Sequence, residues 1–343
     1  MSSDDPQSIL LIRPSALGDV CRSVPLVASL RARYPDAAID WLVQDSFAEA
    51  IERHPDVREA VPFPRHRFAR QLKLGRPGEL ARWVLDLRAR KYDLAIDAQG
   101  LFRSGLFAWW TRAPRRIGYA NAPEFAWLGY NERHHVGANL HSVDRMLSLL
   151  EQSGVPRVED MRLYAADEER DWVRSHLPER FVVFAPTSRW VAKQWPDDRF
   201  AELARRLVAG DERHVVIVGG PNESEQIPRL TGLAEGTERV VDLVGHTRIG
   251  RLLAVIEAAD LVVANDSAAL HMAVGFDRPI VALFGPTRTE LVGPYRREAD
   301  VLRGPGVMTD ERYDHKNPEN RDLMERIGTD EVEAACLERL ARA

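Results

Sequence analysis

At 343 residues the chain exceeds one ordinary hydrophobic core, so two domains are expected. With 45% hydrophobic and 29% charged residues it has the make-up of a globular protein, and a formal net charge of −5 argues against a nucleic-acid binder. Two cysteines at opposite ends of the sequence, Cys21 and Cys336, exclude a disulfide scaffold and offer no metal-ligand spacing.

The first residues, Met1-Ser2-Ser3-Asp4-Asp5, are acidic and lack the cationic stretch of a signal peptide. No apolar run reaches membrane-spanning length. A cytoplasmic protein is expected, with room for peripheral contact at a membrane surface.

Ser8 to Ile12 reads as a buried strand, followed by the turn Arg13 to Val20 and a helix carrying Val24, Leu26, Val27 and Leu30. The turn has one glycine, Gly18, and lacks the G-x-G-x-x-G of a dinucleotide site. Asp19 therefore lies at a strand-to-helix turn, either as a carboxylate stabilising the helix dipole or as a base at the mouth of a cleft. Ala38 to Val43 is a second strand, Ser46 to Glu52 start a helix, and Val57 to Phe63 form a short strand.

The run Arg65, His66, Arg67, Arg70, Lys73 and Arg76 follows, with no acid before Glu79. On charge alone it is a solvated loop; in a chain of net negative charge it also suggests an anionic partner. Glu79 to Arg90 is a helix, and Tyr92 to Asp97 is a strand ending in Ala98-Gln99-Gly100. Leu101 to Thr111, rich in aromatics, reads as a sheet-covering core helix, with a membrane anchor as the second reading. Arg115 to Tyr119 begins another strand or loop. His134, His135 and His141 lack the partners of a zinc site. A helix from His141 to Ser153 leads to a boundary segment at Val155 to Ala166.

The pattern then restarts. Phe181 to Ala185 is a strand, followed by Thr187, Ser188 and Lys193-Gln194-Trp195-Pro196 and a helix to Ala209. Strands at Val215–Val218 and Val240–Gly245 come next, the first ending in Gly219-Gly220, then a helix at Ile249–Ala258. Leu261 to Ala264 is a short apolar run of the kind found in a buried parallel strand. After it, Asn265-Asp266-Ser267-Ala268-Ala269-Leu270-His271 opens a helix, since Asn, Asp and Ser all cap well. Two polar side chains pointing outward beside free helix N–H groups suit a phosphate. A strand at Pro279–Phe284 ends in Gly285-Pro286-Thr287.

Alternating strands and helices in both halves predict an α/β chain of two Rossmann-like, doubly wound parallel-sheet domains facing a central cleft. The expected divisions are residues 1–160, 161–328 and a last helix in 329–343 long enough to fold back across the hinge.

The assembled motifs resemble glycosyltransferase family 9, the ADP-heptose:lipopolysaccharide heptosyltransferases. They are Arg13 to Val20, Ile96 to Leu101, Lys193 to Pro196, Asn265-Asp266-Ser267 with Leu270-His271, and Leu283 to Thr287, in the family's order across nearly the whole chain. The Ala98-Gln99-Gly100 stretch looks like the enzyme adding the first heptose, and Asn265-Asp266-Ser267 also like the one adding the second.

The resemblance implies a GT-B fold and an inverting transfer without metal or cofactor. It implies an N-terminal acceptor domain and a C-terminal domain for an ADP-sugar donor. Asp19 matches the family's general base. Lys193, Thr187, Ser188 and the backbone of Ser267, Ala268 and Ala269 are expected to meet the leaving diphosphate. Asp266 matches the family's sugar-contacting Asp and His271 its neighbouring His, and Glu223, with Asn222 or Glu225 as alternatives, would accept from the ribose. Ser15, Gln99, Arg65, Arg67, Arg70, Arg115 and Arg116 would serve an anionic glycolipid acceptor of the Kdo-lipid A type at the inner membrane. Relatives often carry Gly where this chain has Ala268, whose Cβ is expected to limit the diphosphate's approach.

Three rival readings remain at this point. A nucleotide-sugar epimerase would need no acceptor and no basic run. A non-catalytic nucleotide-sugar binder would tolerate loss of Asp19. An NAD-dependent oxidoreductase is disfavoured by the missing glycine fingerprint.

Overall fold

The computed structural model describes residues 5–210, 212–304 and 317–342. It divides into two compact units, the first ending at Leu163 and the second beginning at Tyr164.

The first unit holds a six-stranded sheet made of β1 (Ser8–Ile12), β2 (Ala38–Gln44), β3 (Glu59–Phe63), β4 (Leu94–Asp97), β5 (Arg115–Tyr119) and β6 (Glu132–His134). All pairings are parallel, in the order β3-β2-β1-β4-β5-β6. The central strand explains the burial. Ile9, Leu10, Leu11 and Ile12 are all fully buried, which a strand covered on both faces requires. The chain runs outward from β1 in one direction and from β4 in the other. The loops leaving β1 and β4 therefore diverge and leave a crevice at the carboxyl edge.

The second unit repeats this plan with β7 (Phe181–Ala185), β8 (His214–Ile217), β9 (Val240–Asp242), β10 (Leu261–Asn265), β11 (Ile280–Phe284) and β12 (Val301–Arg303). Its order is β12-β11-β10-β7-β8-β9, again all parallel. β7 and β10 stand where β1 and β4 stand in the first sheet, and open the same kind of crevice. The last helix, Thr329–Arg342, buries Val332, Ala335, Cys336 and Leu340 in one cluster with Val182, Phe184 and Val263 of the second sheet.

The structure differs from the sequence reading in several places. The basic run is no loop: Arg65–Lys73 is a helix, pinned by buried Phe68, whose ring lies 5.6 Å from Phe63 and 6.0 Å from Trp83. Arg, Gln, Leu, Ala and Lys are good helix formers, and one anchoring aromatic suffices where no apolar stripe shows. The helix expected from Ser46 is a tight 3-10 turn, Asp45–Ala50. Strand β6 went unread because Glu-Arg-His carries no apolar signal. The helices Asp167–His176 and Pro228–Ala234 were also missed.

Candidate active site

In the first unit, the loop after β1 leads into a short helix, Leu17–Arg22, with Asp19 in its first turn. The Asp19 carboxylate accepts from the Ala16 N–H at 3.2 Å. It lies 3.2 Å from the Arg13 guanidinium and is hydrogen-bonded by that of Arg22. Its side chain keeps 29% of its exposure. Burial works against its charge, but Arg13, Arg22 and the Ala16 N–H outweigh this and hold the carboxyl well below the usual carboxylate range. Asp19 is thus an ionised acceptor held in one orientation. Arg13 also donates to Ala98 O at 2.8 Å, tying the loop after β1 to the loop after β4. The sequence reading counted Arg13 in a motif but gave neither it nor Arg22 a role. The three-residue spacing of Asp19 and Arg22 on one helix was the available signal.

That second loop is shaped by Asp97, which is fully buried. It accepts from the Gln99 N–H (2.8 Å), the Gly100 N–H (3.0 Å) and the Tyr130 hydroxyl (2.5 Å). Burial raises the Asp97 pKa, and its oxygens are taken by these three donors, so this group organises the turn. Gly100 has φ +72°, and a Cβ there would lie 2.9 Å from the Tyr119 ring, so the turn needs glycine. The Gln99 side-chain oxygen is buried without a hydrogen-bond partner, which leaves an acceptor for a ligand hydroxyl. Ser15 lies partly buried in the loop before Asp19.

The predicted arginines divide. Arg65, Arg67 and Arg70 are exposed on the helix that leaves the carboxyl end of β3, with Arg67 paired to Glu79 at 2.8 Å. Arg115 and Arg116 begin β5, at the amino edge of the sheet, where Arg115 pairs with Leu94 of β4. Arg115 is committed to Glu132 at 2.9 Å, and Arg116 donates to Gly129 O and Ala113 O. The structure therefore does not bring Arg115 and Arg116 together with Asp19.

In the second unit, Lys193 reaches from the loop after β7 to Asp266 after β10, with Nζ 2.6 Å from Oδ2. The two side chains are only 15% and 11% exposed. Burial opposes the Asp266 charge, but Lys193 and then His271 overcome it and lower its pKa. Ser267 is the N-cap of the helix Ala268–Gly275, yet its side chain makes no capping bond. Its hydroxyl is buried without a partner, aligned with a helix start whose N–H groups favour an anion. Ala268 is partly exposed at the first helical position, while Ala269 and His271 are buried behind it.

Thr187 and Ser188 are buried in the loop after β7. The Thr187 hydroxyl donates to Glu223 Oε2 at 2.6 Å, and the Gly220 N–H donates to the same oxygen at 2.6 Å. Glu223 thus braces the loops after β7 and β8 through one oxygen. Three motif residues do structural work that the sequence did not separate from the site. Asn265, at the end of β10, is fully buried, accepting from the Trp195 N–H and donating to Pro186 O. Gln194 bonds Ser188 O and Gln226, and the Trp195 indole donates to Ile327 O. Of Lys193-Gln194-Trp195, only Lys193 offers charge to a ligand.

Among the described residues no group of three or more His, Cys, Asp or Glu side chains is placed to hold a metal ion. Burial pushes both Cys21 and Cys336 up to about 12, so neither thiol is a ready nucleophile.

The chain matches the family model described as "Glycosyltransferase family 9 (heptosyltransferase)" over residues 81–319. It is 31% identical to lipopolysaccharide heptosyltransferase 1 of Pseudomonas aeruginosa over 297 residues, which is 84% of this chain and 81% of that protein. It is 29% identical to lipopolysaccharide heptosyltransferase 2 of Salmonella typhimurium over 310 residues, covering 86% and 87%. The solved structure of E. coli ADP-heptose LPS heptosyltransferase II is similar with a TM-score of 0.79 at 26% identity, over 98% of this chain and 99% of that one. E. coli heptosyltransferase WaaC with ADP gives 0.78 at 25% identity, over 97% and 99%. A family match across most of the sequence, with structural likeness along its length, makes this chain a GT-B glycosyltransferase that belongs to glycosyltransferase family 9.

Proposed function

We propose that this enzyme transfers a heptose from ADP-heptose to the inner core of a lipopolysaccharide precursor of the Kdo-lipid A type, inverting the anomeric carbon without a metal ion. One observation carries the reading. An ionised, oriented carboxylate stands at the switch point of the first sheet, and a cation with an unpartnered hydroxyl stands at that of the second. Relatives lend support: one solved structure contains ADP and another ADP-2-deoxy-2-fluoro heptose.

In this reading Asp19 takes the proton from the acceptor hydroxyl. The acceptor oxygen bonds to the anomeric carbon as the bond from that carbon to the diphosphate breaks, and the electron pair leaves with ADP. Lys193, Ser267 and the N–H groups of Ala268 and Ala269 meet the charge that develops on the diphosphate. Asp266 holds Lys193 in position before the donor arrives, and with His271 it faces the sugar. Thr187 and Ser188 line the donor side, and the remaining oxygen of Glu223 accepts from the ribose. Ser15 and Gln99 serve acceptor hydroxyls, and Arg65 and Arg70 its anionic groups. The reaction takes place at the cytoplasmic face of the inner membrane.

The test is Asp19→Asn, assayed with ADP-heptose and the lipid acceptor. Transfer is expected to fall by about a hundredfold or more, with calorimetric ADP affinity unchanged. The anomeric configuration of the wild-type product, read by NMR, is expected to be inverted. Undiminished transfer by the variant would remove Asp19 as the base, and a retained configuration would remove the single displacement.

A further inference from the structure

A groove of about 270 Å³ runs between the helix Phe102–Thr111 and the turn Ala126–Gly129, lined by Phe102, Leu106, Trp109, Phe125 and Leu128. Phe102, Trp109, Phe125 and Leu128 keep 55%, 40%, 68% and 61% of their exposure. Such a concentration of large apolar side chains on one face is unlike the single exposed hydrophobics that need no explanation. Glu124 and Phe125 both have left-handed φ, +56° and +61°, a region bulky residues avoid, and the Phe125 side chain at this turn is exposed.

The ends of the groove are cationic. At the carboxyl edge, Arg103 is close enough to Arg65 and Glu124 to feel both charges. At the amino edge, Arg116 faces Arg112, whose guanidinium lies 4.4 Å over the Trp109 ring. None of these four arginines has a carboxylate within salt-bridge distance among the described residues. Arg133 lies 5.0 Å over the Trp127 ring beside the same turn. Arginines flanking an aromatic, apolar face match a bilayer interface, where rings enter the headgroup layer and guanidinium groups meet lipid phosphates.

We propose that this groove docks the first unit on a leaflet of anionic phospholipid, with an acyl chain lying between the helix and the turn. The helix starts directly after the Gln99–Gly100 turn, which Arg13 joins to the Asp19 loop, so docking would hold that crevice at the membrane surface. The inference rests on the reading above in one respect, that the acceptor is a lipid. Vesicle binding tests it without any transfer.

Flotation with phosphatidylcholine vesicles, containing or lacking phosphatidylglycerol, gives the measurement. The wild type is expected to partition onto the phosphatidylglycerol vesicles and to be released by salt. The double variant Phe125→Asn, Leu128→Ser should partition at least about tenfold more weakly. It should melt no lower than the wild type, because Asn accepts a left-handed backbone. Arg103→Gln with Arg112→Gln should erase the preference for phosphatidylglycerol. Absence of wild-type binding, or binding undiminished in the Phe125 and Leu128 variant, would overturn the proposal. So would a wild-type dimer that this variant splits, since the groove would then belong to a second copy.

Discussion

Asp19 shows how local charge sets the character of a carboxylate. Two guanidinium groups keep it ionised, so the proton-accepting form is always present, but they also make it a weak base. In the proposed transfer, proton transfer to Asp19 then has to follow bond formation, once the acceptor oxygen has become acidic. Because the folded pKa is depressed, ionic stabilisation from Asp19 is complete above the unfolded carboxylate value of about 3.9 and is lost as pH falls through the lower folded value. The acid limb of kcat/KM due to Asp19 is accordingly expected below the ordinary carboxylate range. In Arg22→Gln it should rise by about one unit or more; a limb that stays in place would show that Arg22 does not tune the base. Ser267 gives a complementary case. Its hydroxyl has no partner within the protein, so Ser267→Ala should leave the melting temperature nearly unchanged. If the hydroxyl meets the diphosphate, ADP affinity should drop about 2- to 10-fold, the worth of one hydrogen bond. A variant that loses stability and keeps its affinity would assign Ser267 to the fold instead.

At the scale of elements, close approach decides what packs. Gly105 on the helix Phe102–Thr111 and Gly129 in the facing turn touch backbone to backbone: a Cβ on Gly105 would lie 2.4 Å from Ala126 O. Gly105→Ala is expected to cost about 1–3 kcal/mol in thermal unfolding, because no flexible side chain is available to yield. The helix Arg65–Lys73 was hidden for the opposite reason. It buries Phe68 alone, so its sequence shows charge and no stripe. Its exposed cations carry a separate expectation. Arg65→Ala with Arg70→Ala should raise the KM for the lipid acceptor and spare ADP binding, as measured by initial rates and calorimetry; equal loss of both would exclude an acceptor role. Arg67 is left out because its charge is already met by Glu79.

At the scale of the whole molecule, one strand order is used twice, and each use opens a crevice beside its first strand. The two crevices differ in chemistry, a carboxylate held by two guanidinium groups in the first unit and an ammonium paired with a carboxylate beside a helix start in the second. A nucleotide diphosphate should therefore stabilise the second unit. At about 100 times its dissociation constant ADP should add roughly 2.7 kcal/mol. This should raise a melting transition in a calorimetric panel where UDP, GDP and NAD do not. If UDP or GDP gave the larger shift, the adenine assignment would fall while the fold stood.

The alternation of strands and helices is legible in the residues alone, because buried parallel strands are continuous apolar runs that stand out against polar turns. Apolar runs that give way to helix starts also placed Asp19, Asp266 and Ser267 at the carboxyl edge, whereas Gln99 and Lys193 came from the family resemblance. Tertiary structure decided which of them carry free chemistry. Asn265 and Asp266 are adjacent and alike in sequence, yet one is spent on loop backbone and the other holds Lys193. Arg115 and Arg116 read like Arg65 and Arg70, but strand register puts them at the opposite edge of the sheet. The apolar face of the helix Phe102–Thr111 read as core, and half of it is: Phe107 and Ala108 are buried while Phe102 and Trp109 face out. Hydrophobicity is a property of the residue, whereas its burial depends on neighbours that only the folded chain supplies.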